Sequence, residues 1–145
     1  MTRNTAEQPD GGGDGLLHRE LTERIIGVFF EVHRELGFGF SEAVYSRAME
    51  IALRDAGLKT EREFPVVVFF RGRRIRRYRA DHLVESTVML ELKSSERLDA
   101  GVDAQLLNLL KGTPIEIGLV LHFGPRAEFR RRIMTNDSKG PREPL

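Results

Sequence analysis

The sequence predicts an α/β domain in which helices flank a mixed β-sheet, in the order α-α-β-β-β-α-β-(β). Three observations carry this. First, Leu21, Ile25, Phe29, Val32 and Leu36 recur at helical spacing, and Ile26, Phe30 and His33 widen the stripe. Second, segments of strand length, broken by turn residues, fill residues 64–93. Third, a short helical segment follows and leads into a strongly apolar run over 115–122.

The elements follow in order. Gly37 stops the first helix and opens a Gly-Phe-Gly loop that serves a tight helix–helix turn. Ser41 suits the N-cap of a second helix, which runs to about Ala56 and is closed by Gly57. The first strand covers 64–70, with Pro65 near its start, as an edge position permits. After a turn at Gly72, strands over 75–84 and 88–93 complete a meander. Residues 103–111 lie in a short third helix that starts near Asp99 and ends at Gly112. A strand over 115–122 and a polar edge strand over 128–133 finish the domain. A chain of 145 residues suits one domain, assigned here to 19–134. The polar, Gly-rich segment 1–18 and the tail 135–145 are expected to be disordered.

Composition excludes some chemistry. With no cysteine, the chain has no disulfide, no thiolate zinc site and no cysteine nucleophile. No apolar run approaches the ~18 residues of a membrane span, and the N-terminus lacks the apolar core of a signal peptide. The cytoplasm is the expected compartment, with no membrane partner. The net charge of +1 says nothing about nucleic acid, but its distribution does. Six arginines lie between Arg71 and Arg79, and Arg130, Arg131 and Arg132 are consecutive. Arg73, Arg77 and Arg79 are the candidates for phosphate contacts. Such a run equally suits a strand edge guarded against aggregation.

The chemistry concentrates in YRADHLVESTVMLELKS, residues 78–94. Strand alternation puts Glu91 and Lys93 on one face and turns Leu92 to the other. Asp81 lies ten residues before Glu91, across a hairpin. For both carboxylates to share a face, the connection between Val84 and Val88 must be a loop of three or more residues, or contain a bulge. Two converging carboxylates form a hard-oxygen site suited to Mg²⁺ or Mn²⁺. Lys93 could orient an attacking water or stabilise charge on a phosphate. A cross-strand salt bridge to Lys93 would use the same residues without catalysis.

The helical segment Gly39-Phe40-Ser41-Glu42-Ala43-Val44-Tyr45 places Glu42 and Tyr45 three apart, on one face. At this point the chain resembles the GxxExxY family of small bacterial and archaeal proteins, within the PD-(D/E)XK nuclease superfamily. The matching stretches are LTERIIGVFFEVHRELGFGFSEAVY, YRADHLVES, VMLELKS, DAQLLNLLKGT and IGLVLHFG, in order over about 20–134. The resemblance implies a restriction-endonuclease-like core. It makes Asp81 a metal ligand, Glu91 and Lys93 the E-x-K pair, and Glu42 a helical acid beside the metal. The backbone carbonyl of Leu92 joins the implied metal ligands. Gln105 matches a glutamine on the helix after the E-x-K strand. Related nucleases carry a tyrosine four residues later, where this chain has Leu109. His82 stands after the Asp, where an apolar residue is expected; it is read as incidental, with a contact to metal or phosphate as the other reading. His33 is read as a hydrogen-bonded core histidine and His122 as a strand-end residue without a ligand partner. Tyr45 is expected to pack.

Two functions compete. The first is a metal-dependent phosphodiesterase acting on nucleic acid, with DNA as the expected substrate. It is favoured by the joint presence of Glu42, Asp81, Glu91 and Lys93. The alternative is a catalytically inactive nuclease-fold module that binds nucleic acid or a protein partner, favoured by the missing tyrosine at 109 and the small size. A purely structural role is a third reading, since exposed strand edges could support a homodimer.

Overall fold

The structure is a computed structural model and describes residues 18–140. Helix α1 is Arg19–Leu36 and α2 is Glu42–Asp55. Strands β1 (Thr60–Phe70), β2 (Arg73–Val84) and β3 (Val88–Ser94) follow, then α3 (Val102–Lys111), β4 (Ile117–Phe123) and β5 (Ala127–Ile133). The five strands lie in sequence order in one sheet; β3 and β4 run parallel and the other pairs antiparallel. Because β3 and β4 are parallel, the chain must cross over between them, and α3 is that crossover. The mixed sheet and the predicted order of elements are therefore present.

The sheet separates two cores. On one face, α1 and α2 bury Ile25, Phe29, Tyr45, Met49 and Leu53 against Leu90, Leu92, Leu119 and Leu121. On the other, α3 buries Val102, Leu106, Leu109 and Leu110 against Met89 and Val120. Strands β3 and β4 are covered on both sides, so residues 88–92 and 117–123 are buried without interruption. Leu109, at the position of the absent tyrosine, is one of these core residues at 4% exposure.

Local signals behaved as their physics requires. Ser41 Oγ accepts from the Val44 amide at 3.4 Å and caps α2. Pro65 sits on the edge strand β1. The β2–β3 connection is a three-residue loop, with Val84 paired to Val88. Glu85 and Ser86 both take positive φ, as a primed hairpin turn demands, and the Thr87 amide closes it onto the Val84 carbonyl.

Beyond shifts of one to three residues at β2, β3, α3, β4 and β5, two boundaries differ from expectation. β1 begins at Thr60 rather than 64, because 60–62 pair with 82–84 of β2. The tail is ordered through residue 140. A 3₁₀ turn at Asn136–Ser138 brings Lys139 back, and its Nζ donates to the carbonyls of Thr113 (2.6 Å) and Ile115 (2.7 Å). The expectation of disorder thus fails over 135–140; for 1–17 and 141–145 it lies outside the described residues. Among the described residues no helix is long and apolar enough to cross a membrane.

Candidate active site

The site is built where the first two strands change face. Thr60 and His82 bond to each other and Arg62 pairs with Glu50 of α2, so these residues lie on the α2 side. Two residues further along, Phe64 on β1 and Ala80 on β2 belong to the α3 core. Regular alternation would keep 60, 62 and 64 on one face. The ladder passes over Glu63 and Asp81, and Glu63 takes φ 57. The inversion falls at this facing pair.

Asp81 is thereby released from the ladder and turns to β3. The last β2–β3 pair is His82 with Leu90. The next amide on β3 that points toward β2 is that of Leu92, and Asp81 Oδ2 accepts it at 2.7 Å. The side chain does what a strand carbonyl would otherwise do. Extending the His82–Leu90 register brings Asp81 opposite Glu91. The Asp81 charge acts on Glu91, and both carboxylates feel Glu42 and Lys93.

Glu91 is the most perturbed group. It is 8% exposed, and its Oε1 has no hydrogen-bond partner. Burial, reinforced by the Asp81 charge, pushes its carboxyl up to about 8; Lys93 and a backbone hydrogen bond from Asp81 offset part of this. Burial also raises Asp81, against the Leu92 amide that holds its charged form. Among the described residues Lys93, half-buried, forms no ion pair with either carboxylate, so the simple cross-strand salt bridge does not form. Glu42 approaches from the first turn of α2, and its Oε2 accepts from the Ser94 amide at 3.4 Å. Glu63, exposed and ion-paired to Arg62 and Arg79, adds a further negative charge beside Asp81.

Other candidates lie elsewhere. His82 is fully buried on the opposite face, where Thr60 Oγ1 (2.8 Å) and the Ser46 hydroxyl (3.2 Å) and carbonyl (3.1 Å) surround its ring. Burial lowers its pKa, so it is a neutral core residue. Gln105 is exposed on α3, and its side chain makes no hydrogen bond to the carboxylates. His33 bonds the Gly124 carbonyl at 2.8 Å, and Tyr45 is buried and stacked on Phe123. Of the Arg130–Arg132 run, Arg130 and Arg132 are tied to Asp103 at 3.0 and 2.8 Å, and Arg131 is 2% exposed. That run is no free cationic surface. Arg73 and Arg77 are exposed on the β1–β2 arm, while Arg79 pairs with Glu63 at 3.0 Å.

Sequence reasoning missed the proximity of His122. Parallel pairing sets it opposite Lys93, on the Glu91 face, at 2% exposure. Its Nε2 bonds the Ser95 carbonyl at 2.8 Å and so anchors the segment after Lys93. Gly124 leaves the room for this ring, since a Cβ there would fall 2.6 Å from it. The only available signal was that the His ends the strand after the crossover helix.

A fold of this order, with an Asp at a strand break facing an E-x-K strand, defines a nuclease-type core. A family model described as the PD-(D/E)XK nuclease superfamily matches residues 19–133, and the chain belongs to that superfamily. No curated protein matches the chain at a significant level. A solved structure described as "Crystal structure of SSO0001" is similar at 19% identity and a TM-score of 0.49, over 85% of this chain. The match covers 63% of that protein's length.

Proposed function

We propose that this domain is a divalent-metal-dependent phosphodiesterase acting on nucleic acid, with DNA as its substrate. One observation carries the reading: Glu91 is a buried carboxyl with an orphaned oxygen, held against a second carboxylate and left without an ion pair. When both are ionised, two such groups repel unless a cation sits between them, and their oxygens suit Mg²⁺ or Mn²⁺. Asp81, Glu91 and Glu42 would hold the ion, with the backbone carbonyl of Leu92 as a fourth donor. When bound, the ion would supply Lewis-acid stabilisation of charge on the phosphate. Lys93, half-buried and free of an ion pair, would orient the attacking water and meet the charge growing on phosphorus-bound oxygen. Arg73 and Arg77 would hold the nucleic-acid backbone without reading sequence, with Arg79 available once exchanged from Glu63.

Calorimetric titration with Mn²⁺ tests the site before the reaction. The wild-type protein should bind the ion, Asp81→Ala should give no binding heat, and Glu42→Ala should bind more weakly. No heat from the wild type at millimolar Mn²⁺ would reject the reading. One observation favours the inactive-module alternative: among the described residues, no three His, Asp or Glu side chains are gathered tightly enough to hold an ion as they stand. That alternative predicts nucleic-acid binding with no Mn²⁺ heat.

The arginine assignment has its own test. Arg73→Glu with Arg77→Glu should weaken binding about equally across sequences and lower the salt slope by about 2. An unchanged slope would return the arm to a guarded strand edge.

A further inference from the structure

The segment joining α1 to α2 presents two aromatic rings to solvent. Phe38 is 42% and Phe40 47% exposed, with Val44 beside them at 40%. Large apolar side chains gathered this way on a small domain mark a contact surface. Their mount is rigid. Gly37 and Gly39 take φ 73 and 125, which glycine adopts without strain, and side-chain hydrogen bonds hold the loop in this shape. The Tyr45 hydroxyl donates to the Gly37 carbonyl and lies 3.4 Å from the Phe40 amide. The Tyr45 ring is itself stacked on Phe123 at 4.1 Å. The Ser94 hydroxyl donates to the Phe40 carbonyl, and Glu42 accepts the Ser94 amide. The rings are thus fastened to the residue after Lys93, at the edge of the carboxylate site.

Extending the β2–β3 register past Glu91 sets Tyr78, within the arginine-rich part of β2, level with Ser94, to which the Phe40 carbonyl is bonded. Residues 64–80 carry six arginines and no acid. Such an arm attracts a polyanion. In an intact duplex the base faces are hidden in the stack. In a single strand they are free, and exposed aromatics beside a cationic track are how proteins hold such strands.

We propose that Phe38 and Phe40 form a base-stacking platform, so that the preferred substrate is single-stranded nucleic acid. The strand would lie with phosphates toward the arginine arm and the carboxylate site and with bases on the two rings. This rests on the nuclease reading for its chemistry, but it is tested by binding alone. The chain has no tryptophan, so Phe38→Trp makes a unique fluorescent reporter. It would be titrated, in EDTA, with a 20-nucleotide oligo-dT and with a hairpin duplex of equal phosphate number. Saturable quenching by the single strand and none by the duplex is expected. Phe38→Ala and Phe40→Ala should each weaken single-strand binding about tenfold or more without lowering the melting temperature, while Phe40→Tyr retains it. Equal binding of both nucleic acids, with no quenching and no effect of either alanine, would overturn the platform and leave the metal site standing. A wild-type dimer that Phe38→Ala converts to monomer would overturn it too, assigning the patch to self-association. Absence of any nucleic-acid binding would overturn the platform together with the substrate reading, and the Mn²⁺ titration would then report on the metal site separately.

Discussion

Glu91→Gln should raise the melting temperature of the metal-free protein at pH 8 by about 10 °C, an effect on the order of 3 kcal/mol. The carboxyl ordinarily titrates near 4.5 and in the fold near about 8. A raised carboxyl pKa means that the folded chain holds its proton more tightly than the unfolded chain. This contribution to stability is therefore complete below about 4.5, falls as pH rises toward 8, and is absent above it. Asp81, also raised by burial, works in the same direction. Glutamine keeps the shape and removes the charge, so the gain should shrink toward zero near pH 4.5. Mn²⁺ should reverse the order of the two proteins at pH 8, because it binds the ionised wild-type pair and stabilises the fold that holds it. Metal-free melting curves from pH 4.5 to 8.5 decide the matter. A wild type as stable as Glu91→Gln at pH 8 would mean that Glu91 is not under strain.

Lys93→Ala should lower cleavage by about 100-fold or more while Mn²⁺ binds as tightly as before or tighter. The asymmetry follows from sign. Lys93 stabilises the ionised forms of Asp81 and Glu91, yet it is also a positive charge competing with the ion for the same oxygens. Its removal makes the carboxylates harder to ionise but leaves the cation without a rival. At pH 8.5, where the first effect is weakest, affinity should not fall. Cleavage should fall regardless, because on the proposed mechanism a metal-loaded site would still lack the cation that faces the water and the phosphate. Equal loss of Mn²⁺ binding and cleavage would instead make Lys93 a structural support of the pair.

The parts of this domain that were legible in the sequence are those set by neighbours in the chain. The α1 stripe, the Ser41 cap and the Gly37 stop follow from helical geometry, and the structure has them, except that Leu36 at the end of the stripe is exposed. The shared face of Asp81 and Glu91 followed from alternation plus loop length, and the three-residue loop is present. What was not legible depends on contacts between distant segments. Nothing local announces that β1 and β2 invert at Glu63 and Asp81, since either strand alone reads as continuous. His122 meets Lys93 only through a parallel register set by the packing of α3. Arg130 and Arg132 looked like free charge until α3 supplied Asp103. Lys139 looked like part of a solvated tail, and it is held by two carbonyls at the far end of α3 and the entry to β4.

The Leu92 amide has a consequence of its own. Its hydrogen bond ends on the titratable side chain of Asp81, just as the Ser94 amide at the end of β3 is accepted by Glu42. In nuclear magnetic resonance this makes one proton a gauge of one carboxylate. Its resonance lies downfield while an ionised Asp81 accepts from it, and moves upfield as Asp81 takes a proton or turns away. The state of Asp81 can therefore be followed residue by residue in a spectrum of the backbone, without any substrate and without any change to the chain.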